Sequence, residues 1–324
     1  MNDLASFLEP PGWAGQLVRG EDRSEWREVA PSIAVRTVTS GEFAFVSARV
    51  SGAVRMSALR IQQATVAAYD SIASQLAGLS ANHAVRIWNF IPRILAPLGE
   101  LPHRYMAFNA GRFAVYTTWY RTIDEVRRRA ATASAVGHSG EDLLVHCLAA
   151  NRPGRSLENP RQIPSYGYSD RYGPMPPCFA RATCLRFPGD RDVVLVGGTA
   201  SVTGEDTIHS ADLPAQVEEI FLNLAALVGC AEGVPVDACM NGHCSELLER
   251  FRNLRVYVVR RRDVGQIRNI VERRFRSLDG VEYVHADLCR PDLLLEIEGV
   301  ADVHRLAEPA AGNGRHTGRG LATP

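Results

Sequence analysis

The order of predicted secondary-structure elements repeats once along the 324 residues of this chain, and this repeat constrains the fold more than any other feature. In each half, the spacing of apolar residues predicts a strand hairpin, a helix, a strand, a second helix and a closing strand. A segment rich in Pro, Gly, Asn and Arg, residues 151–162, separates the halves. We therefore predict an α+β fold of two related units, each a β-sheet with helices packed on one face.

The bounds of the predicted elements follow from hydrophobic periodicity and from the turn residues between them. In the first half, we predict strands at 33–39, 42–50, 84–90 and 143–149 and helices at 57–79 and 104–120. In the second half, we predict strands at 178–187, 193–202, 254–260, 281–286 and 293–297 and helices at 213–228, 245–252 and 264–275. Two domains are expected at 1–150 and 151–305, and the polar segment 306–324 is expected to be a disordered tail.

Charge argues against several classes of function. All 36 basic residues are arginine, and they balance 36 acidic residues, so the formal net charge is zero. This balance argues against binding of nucleic acid or anionic membranes through bulk charge. The lack of lysine excludes a Schiff-base or P-loop lysine, and it leaves arginine as the strong cationic ligand for a carboxylate.

The sequence also bears on the cellular compartment of the protein. No run of 18 uninterrupted apolar residues predicts a membrane span, and the N-terminus lacks the basic and apolar regions of a secretory signal. The seven cysteines are odd in number and scattered, which fits free thiols. We therefore expect a cytoplasmic protein.

Three short patterns each have a functional and an ordinary structural interpretation. The CMNGHC segment at 239–244 has too few ligands for zinc, so we expect ordinary thiols and no metal. The arginine-rich stretch 250–276 surrounds an apolar helical stripe and is expected to be a solvated surface rather than a nucleic-acid site. In the stretch 196–206, Gly197 and Gly198 indicate either a β-bulge or the close approach of a ligand.

Two further features point to a binding site in the second half. The loop at 159–182 combines Arg161, Arg171 and Arg181 with several tyrosines, which suits a small anionic ring-shaped ligand but also a stacked surface. The strand at 293–297 carries Glu296 among leucines, and Glu298 follows on the same face. A carboxylate in so apolar a strand needs a partner or a role.

Several blocks in a fixed order resemble the chorismatase family, whose members remove pyruvate from chorismate. The blocks are RIWNFIPRI at 86–94, Y-x-x-F-N-x-G-R at 105–112, N-P-R-Q-x-x-x-Y with Y-G-P and F-x-R-A at 159–182, G-T-A-S-x-x-G at 198–204 and A-D-L-C-R-x-x-L-L-x-E-I-E-G at 286–299. The resemblance implies two YjgF/RidA-like (chorismate-mutase-like) units in one chain, of which the first is degenerate and the second carries the active site. No cofactor is expected.

The resemblance also implies a product. Family members that form 3-hydroxybenzoate carry a Cys seven residues before the catalytic Glu, whereas hydrolytic members have Ala there. The corresponding residues are Cys289 and Glu296, which favours 3-hydroxybenzoate. The chain departs from the family pattern in the glycine-rich loop, where Glu205 stands in place of the usual His.

The resemblance predicts a set of site residues. Burial should raise the pKa of Glu296, the expected general acid that protonates the enolpyruvyl methylene carbon. Cys289 is expected to position the substrate ring and limit water rather than act as a nucleophile, and Glu298 is expected to be solvent-exposed or structural. The expected substrate-binding residues are Arg181, Arg290, Arg161, Gln162, Tyr166, Tyr172, Gly198 and Thr199.

Two alternatives remain at this point. The alternatives to an enzyme that forms 3-hydroxybenzoate are a hydrolytic chorismatase that forms a dihydroxycyclohexadiene carboxylate and a non-catalytic YjgF/RidA-like protein that binds a metabolite. In each case a small molecule, chorismate for the enzymes, is the expected partner. The chain is expected to be a monomer or a small homo-oligomer.

Overall fold

The computed structural model describes residues 8–18, 25–239 and 244–304. The first unit contains strands β1 (Arg27–Ala30), β2 (Ile33–Thr39), β3 (Phe43–Val50), β4 (His83–Pro92), β5 (Thr132–His138) and β6 (Leu143–Ala150). Before and between these strands lie helices α1 (Gly12–Leu17), α2 (Ala58–Leu76), α3 (Arg104–Trp119) and α4 (Ile123–Arg129).

The second unit contains a sheet and a small hairpin. The sheet strands are β7 (Arg155–Leu157), β8 (Ala182–Phe187), β9 (Arg191–Thr199), β12 (Phe251–Val258), β13 (Gly280–His285) and β14 (Leu295–Asp302), and the hairpin pairs β10 (Val202–Thr203) with β11 (Asp206–Thr207). Its helices are α5 (Leu213–Glu232), α6 (Val236–Ala238), α7 (Cys244–Leu248) and α8 (Val264–Arg274).

The two six-stranded sheets have the same topology. Their strand orders are β1-β2-β3-β6-β4-β5 and β7-β8-β9-β14-β12-β13. In each sheet the last pair is parallel, and the register of the neighbouring antiparallel pair shifts near its start, at Ala84/Arg86 and at Phe251/Asn253. The predicted fold class, α+β with two related units, is therefore confirmed. The predicted tail, 306–324, lies outside the described residues.

Apart from α1, which packs at the core between the sheets, the helices of each unit lie on one face of its sheet, and the other face packs against the other sheet. Ile61, Tyr69 and Phe108 fill the helix-covered core of the first unit, and α5 and α8 cover the core of the second. A third core lies between the sheets, where Trp88 and Phe45 meet Leu195, Tyr257 and other residues of the second unit. Because each buried side chain of this size contributes roughly 2 kcal/mol, the shared core couples the two units.

Helix α5 is strongly apolar. By length and composition it could cross a membrane, but 72% of its most apolar 18-residue window is buried. Asp212 caps its first turn by accepting a hydrogen bond from the backbone N–H of Ala215, and Gly233 ends it with φ 76°. This burial is that of a core helix.

The N-terminal segment, residues 8–18, contacts both units. The carbonyl of Leu8 accepts a hydrogen bond from His146 Nε2 of β6 (2.9 Å), and the carbonyl of Glu9 accepts one from Arg255 of β12 (2.8 Å). The backbone N–H of Gly12 donates to Glu282 of β13 (2.7 Å). The segment therefore joins the two sheets along their shared core.

Several predicted bounds differ from the structure. Strand β5 and helix α4 were not predicted, because β5 reads TASAVGH and small residues give no apolar alternation. Strand β8 starts at Ala182 rather than 178, since the residues before it belong to a loop. The last strand, predicted at 293–297, spans Leu295–Asp302, so both glutamates lie inside it.

Candidate active site

Glu296 lies in the middle of the second sheet. Its strand, β14, pairs with β12 on one side and β9 on the other, and its side chain points towards the first unit. The neighbours Leu295 and Ile297 point to the helix-covered core, as the alternation of a strand requires. Glu296 is only 5% exposed, and among the described residues its Oε1 has no hydrogen-bond partner.

A β-bulge in β9 makes room for this carboxyl group. Ile297 pairs with Thr199 and Gly299 with Val196, so β9 has one residue more than β14 between these pairs. A Cβ atom on Gly198 would overlap Glu296 Oε1. The glycines thus mark both a bulge and a close approach, and the group that approaches is the carboxyl of Glu296.

The environment of Glu296 favours its protonated form. Burial raises the pKa of its carboxyl from 4.5 to about 8, and the nearby Glu298 also raises it, whereas Arg86 and Arg181 lower it. A carboxyl group with this pKa is mostly protonated at neutral pH.

Glu298 is buried, so the prediction that it faces solvent is wrong. Its side chain is 2% exposed. It accepts hydrogen bonds from Arg86 Nη2 (2.7 Å), Trp88 Nε1 (2.8 Å) and Ser134 Oγ (2.6 Å), all in the first unit.

A cavity of about 480 Å³ opens in front of Glu296, between the two units. The first unit supplies one wall, from Tyr105 and Arg112 of α3 and from Ala133–Ala135 of β5. The second unit supplies the others. Its lining residues include Gln162, Tyr168, Arg171, Tyr172, Phe179, Arg181, Gly198, Thr207, Cys289, Arg290, Leu293 and Glu296. The site is therefore shared, although the sequence placed it in the second half.

Three of the cavity arginines have no carboxylate partner among the described residues. Arg112 is 1% exposed and donates to Asn109 Oδ1 (2.9 Å). Arg181 donates to the hydroxyl of Tyr168 and to a backbone carbonyl. Arg290 donates to the Glu205 carbonyl (2.7 Å) and stacks on Tyr172 with its Cζ 4.0 Å from the ring centroid. Partly or fully buried cations of this kind favour an anionic ligand.

Arg171 differs from these three arginines because it is already paired. It forms ion pairs with Glu205 and Asp206, and Glu205 also accepts hydrogen bonds from the Ser169 backbone (2.8 Å) and hydroxyl (2.6 Å). These bonds hold the loop that carries Tyr168 and Tyr172 against the β10–β11 hairpin.

The structure brings most of the predicted site residues to one cavity. These are Glu296, Cys289, Arg181, Arg290, Gln162, Tyr172 and Gly198. Burial raises the pKa of the Cys289 thiol to about 11, with a further contribution from Glu296, so the group stays a thiol rather than a thiolate nucleophile.

Three predicted binding residues do not line the cavity. Arg161 instead forms an ion pair with Glu219 (2.7 Å) of α5. Tyr166 packs against the core of the first unit. The hydroxyl of Thr199 donates to the carbonyl of Gly197 (2.9 Å), since alternation along β9 turns it away from Glu296.

Sequence reasoning missed the contribution of the first unit. Tyr105 and Arg112 lie in the Y-x-x-F-N-x-G-R block, which by itself resembles core packing and a turn. Their separation of seven residues is two helical turns and puts both on one face of α3. That spacing was the available signal, and the packing of the two sheets decides that this face meets the cavity.

No metal site is evident in the part of the chain that the structure describes, where no three His, Cys, Asp or Glu side chains are grouped to hold an ion. Residues 240–243 of the CMNGHC segment, including His243, lie outside that part.

Comparison with known proteins identifies relatives over most of the chain. The FkbO/Hyg5-like chorismatase N-terminal family matches residues 24–149. A 3-hydroxybenzoate synthase of Streptomyces hygroscopicus is 34% identical over 268 residues, which cover 80% of this chain and 74% of that protein. A chorismatase of Streptomyces rapamycinicus is 34% identical over 243 residues, 74% of this chain and 70% of that protein.

A solved structure agrees with these relatives. The crystal structure of a chorismatase matches with a TM-score of 0.70 and 28% identity, and the match covers 86% of this chain and 80% of that one. Both the sequence relatives and this structure extend over the two units that form the cavity. This chain therefore belongs to the chorismatase family.

Proposed function

We propose that this protein is an enzyme that converts chorismate to pyruvate and 3-hydroxybenzoate. The observation that carries the proposal is a buried carboxyl group, protonated at neutral pH, that faces a cavity with three arginines lacking carboxylate partners. The names of the relatives supply the substrate.

The charges of the cavity fit this substrate. Chorismate carries two carboxylates, one on its ring and one on its enolpyruvyl ether. Arg181 and Arg290 lie in the second unit with Glu296, and Arg112 faces them from the first unit. Guanidinium groups grip carboxylates through paired N–H donors, so a dianion is held between the two walls.

The difficult step is the cleavage of an enol ether, and Glu296 supports it. Its carboxyl donates a proton to the methylene carbon of the enolpyruvyl group. The π electrons of the C=C bond form the new C–H bond, the O–H bond of the carboxyl breaks to leave a carboxylate, and an oxocarbenium ion forms at the ether carbon. Cleavage of the bond between the ether oxygen and the ring carbon then releases pyruvate and leaves a positive charge on the ring. The oxygen of the neighbouring ring hydroxyl moves to this carbon, and loss of one ring proton completes the aromatic ring and restores the proton of Glu296. An acid with a pKa near neutrality is suited to this transfer.

The product depends on whether water takes part. Pyruvate and 3-hydroxybenzoate together have the composition of chorismate, whereas the dihydroxycyclohexadiene carboxylate requires one added water. Cys289 supports the aromatic route because its side chain lines the cavity as a weakly polar thiol and occupies space that water would otherwise fill.

Incubation with chorismate tests the proposal. We expect pyruvate in a coupled assay and 3-hydroxybenzoate by chromatography with mass detection. Glu296→Gln should abolish pyruvate release, while Glu249→Gln, an exposed control carboxylate, should leave it unchanged. A diene product would favour the hydrolytic alternative, and chorismate binding without turnover would favour the non-catalytic one.

A further inference from the structure

We infer that Glu298 is a positioning residue for the general acid, acting together with Arg86 and Ser134. In this role it fixes the wall of the cavity behind Glu296 and keeps a negative charge beside it. The inference rests on the proposed function, because it assigns these residues a part in the same reaction.

The first argument is geometric. Glu298 and Glu296 point to the same side of β14, two residues apart. Ser134 Oγ donates to Glu298 (2.6 Å) and accepts a hydrogen bond from the backbone N–H of Gly198 (2.9 Å). Gly198 is the residue against which the Glu296 carboxyl packs. A single chain of hydrogen bonds thus runs from Glu298 through β5 to the bulge at Glu296.

The partners of Glu298 belong to the other unit. Arg86 donates to Glu298 (2.7 Å) and also to Ser134 Oγ (2.5 Å), and Trp88 donates to the second carboxylate oxygen (2.8 Å). These hydrogen bonds give both oxygen atoms of the buried Glu298 carboxylate a partner. Its position relative to Glu296 is therefore fixed by the packing of the two sheets.

The second argument is electrostatic. The charged and titratable groups that act on Glu296 come from several elements: Glu298 on its own strand, Arg86 on β4, Arg181 before β8, Tyr105 on α3 and Cys289 in the loop before β14. Among them, Glu298 is the group that opposes ionisation of Glu296 most strongly. If it served only to join the two units, apolar side chains would stabilise that contact equally well.

The test compares the titration of Glu296 with and without the charge of Glu298. Glu298→Gln removes the anion and leaves Arg86 cationic, so Glu296 should lose its proton at lower pH. In alkaline solution kcat/KM falls as Glu296 loses its proton, and we call this fall the alkaline limb of the pH profile. We expect the alkaline limb of the variant to lie at a pH lower by about one unit or more. The ¹³C signal of the Glu296 carboxyl, followed by NMR against pH, should move in the same direction.

Two controls separate this role from a structural one. Glu298→Asp and Trp88→Phe disturb the hydrogen bonds but keep the charge, so their limb should stay at the wild-type pH even if kcat falls. A Glu298→Gln protein with lower kcat and an unmoved limb and NMR titration would overturn the inference. The NMR titration reports on Glu296 even if the wild-type protein does not act on chorismate, so the two proposals fail separately.

If Glu298→Gln does not fold, the double variant Arg86→Gln/Glu298→Gln replaces it. This variant leaves no uncompensated buried charge. Because Glu298 acts on Glu296 more strongly than Arg86 does, the titration should still move to lower pH, by a smaller amount. A titration that stays in place or moves to higher pH would contradict the inference.

Discussion

At the scale of single residues, Arg112 is the cation that the structure adds to the predicted site residues. It lies in the first unit, is almost fully buried, and faces the cavity without a carboxylate partner among the described residues. Arg161, predicted from its neighbourhood in sequence, is already paired with Glu219. The two arginines therefore form a matched pair for testing.

Replacing Arg112 by Gln should raise KM for chorismate about 10- to 100-fold, because a charge-assisted hydrogen bond contributes roughly 1.5–3 kcal/mol. Arg161→Gln should instead lower the melting temperature and leave KM within about 3-fold of the wild-type value. Steady-state kinetics and thermal unfolding of both variants check this. If both variants changed KM equally, Arg112 would not be a substrate-binding residue.

Cys289 gives a prediction about the product rather than the rate. Replacing it by Ala leaves room beside the substrate ring, and a water molecule can then enter the cavity. We expect part of the product to change from 3-hydroxybenzoate to the dihydroxycyclohexadiene carboxylate, with pyruvate release kept within about 10-fold. Chromatographic product ratios measure this, and Cys289 has no part in product choice if the ratio is unchanged.

At the scale of elements, the bulge in β9 is the feature on which the acid depends. A methyl group on Gly198 would overlap the Glu296 carboxyl, so Gly198→Ala should displace Glu296 and reduce kcat at least about 100-fold. Gly265→Ala is the control, because a Cβ atom there meets nothing within 4 Å. A Gly198→Ala enzyme with normal kcat would show that the carboxyl can move without loss.

Most long elements were predictable because one face of each meets a core. Strands β2, β3 and β4 and helices α2 and α5 are long and strongly apolar, and their bounds were predicted to within a few residues. Strand β5 was not, because it is buried on both faces and built of small residues. Small side chains are required in β5 because this strand lines the cavity and packs against the β-bulge of β9.

Where predicted site residues are close in sequence, their common position at the cavity follows from local structure. Cys289, Arg290 and Glu296 lie within one block of the chain, so their common location could be expected. The contact of Arg112 with this group depends on how the two sheets pack, and the pairing of Arg161 with Glu219 depends on the position of α5. Neither of these packing arrangements can be read from apolar spacing.

At the scale of the whole molecule, the buried acid lowers the stability of the fold. The pKa of Glu296 is 4.5 when exposed and about 8 in the folded protein, so between these values the folded state holds a proton that the unfolded state releases. The effect of Glu296 on the free energy of unfolding is therefore absent below about pH 4.5. As pH rises from there through 8, this free energy falls, because folding must keep the group protonated.

Glu296→Gln should consequently be more stable than the wild type at pH 8, by about 4 kcal/mol, and the difference should shrink towards pH 5. Urea unfolding at both pH values measures it. Because the two units share the core between their sheets, one cooperative transition is expected in each case. A variant that is less stable at pH 8 would contradict the raised pKa.

The arginines of the cavity and Glu296 respond differently to pH. A guanidinium group keeps its charge at any pH at which a protein stays folded, so the arginines themselves attract a dianion equally well in alkaline solution. The acid alone titrates near pH 8. Above that pH we expect kcat to fall because Glu296 has lost its proton, and KM to rise because the ionised Glu296 repels the substrate dianion, although the arginines that bind it stay charged.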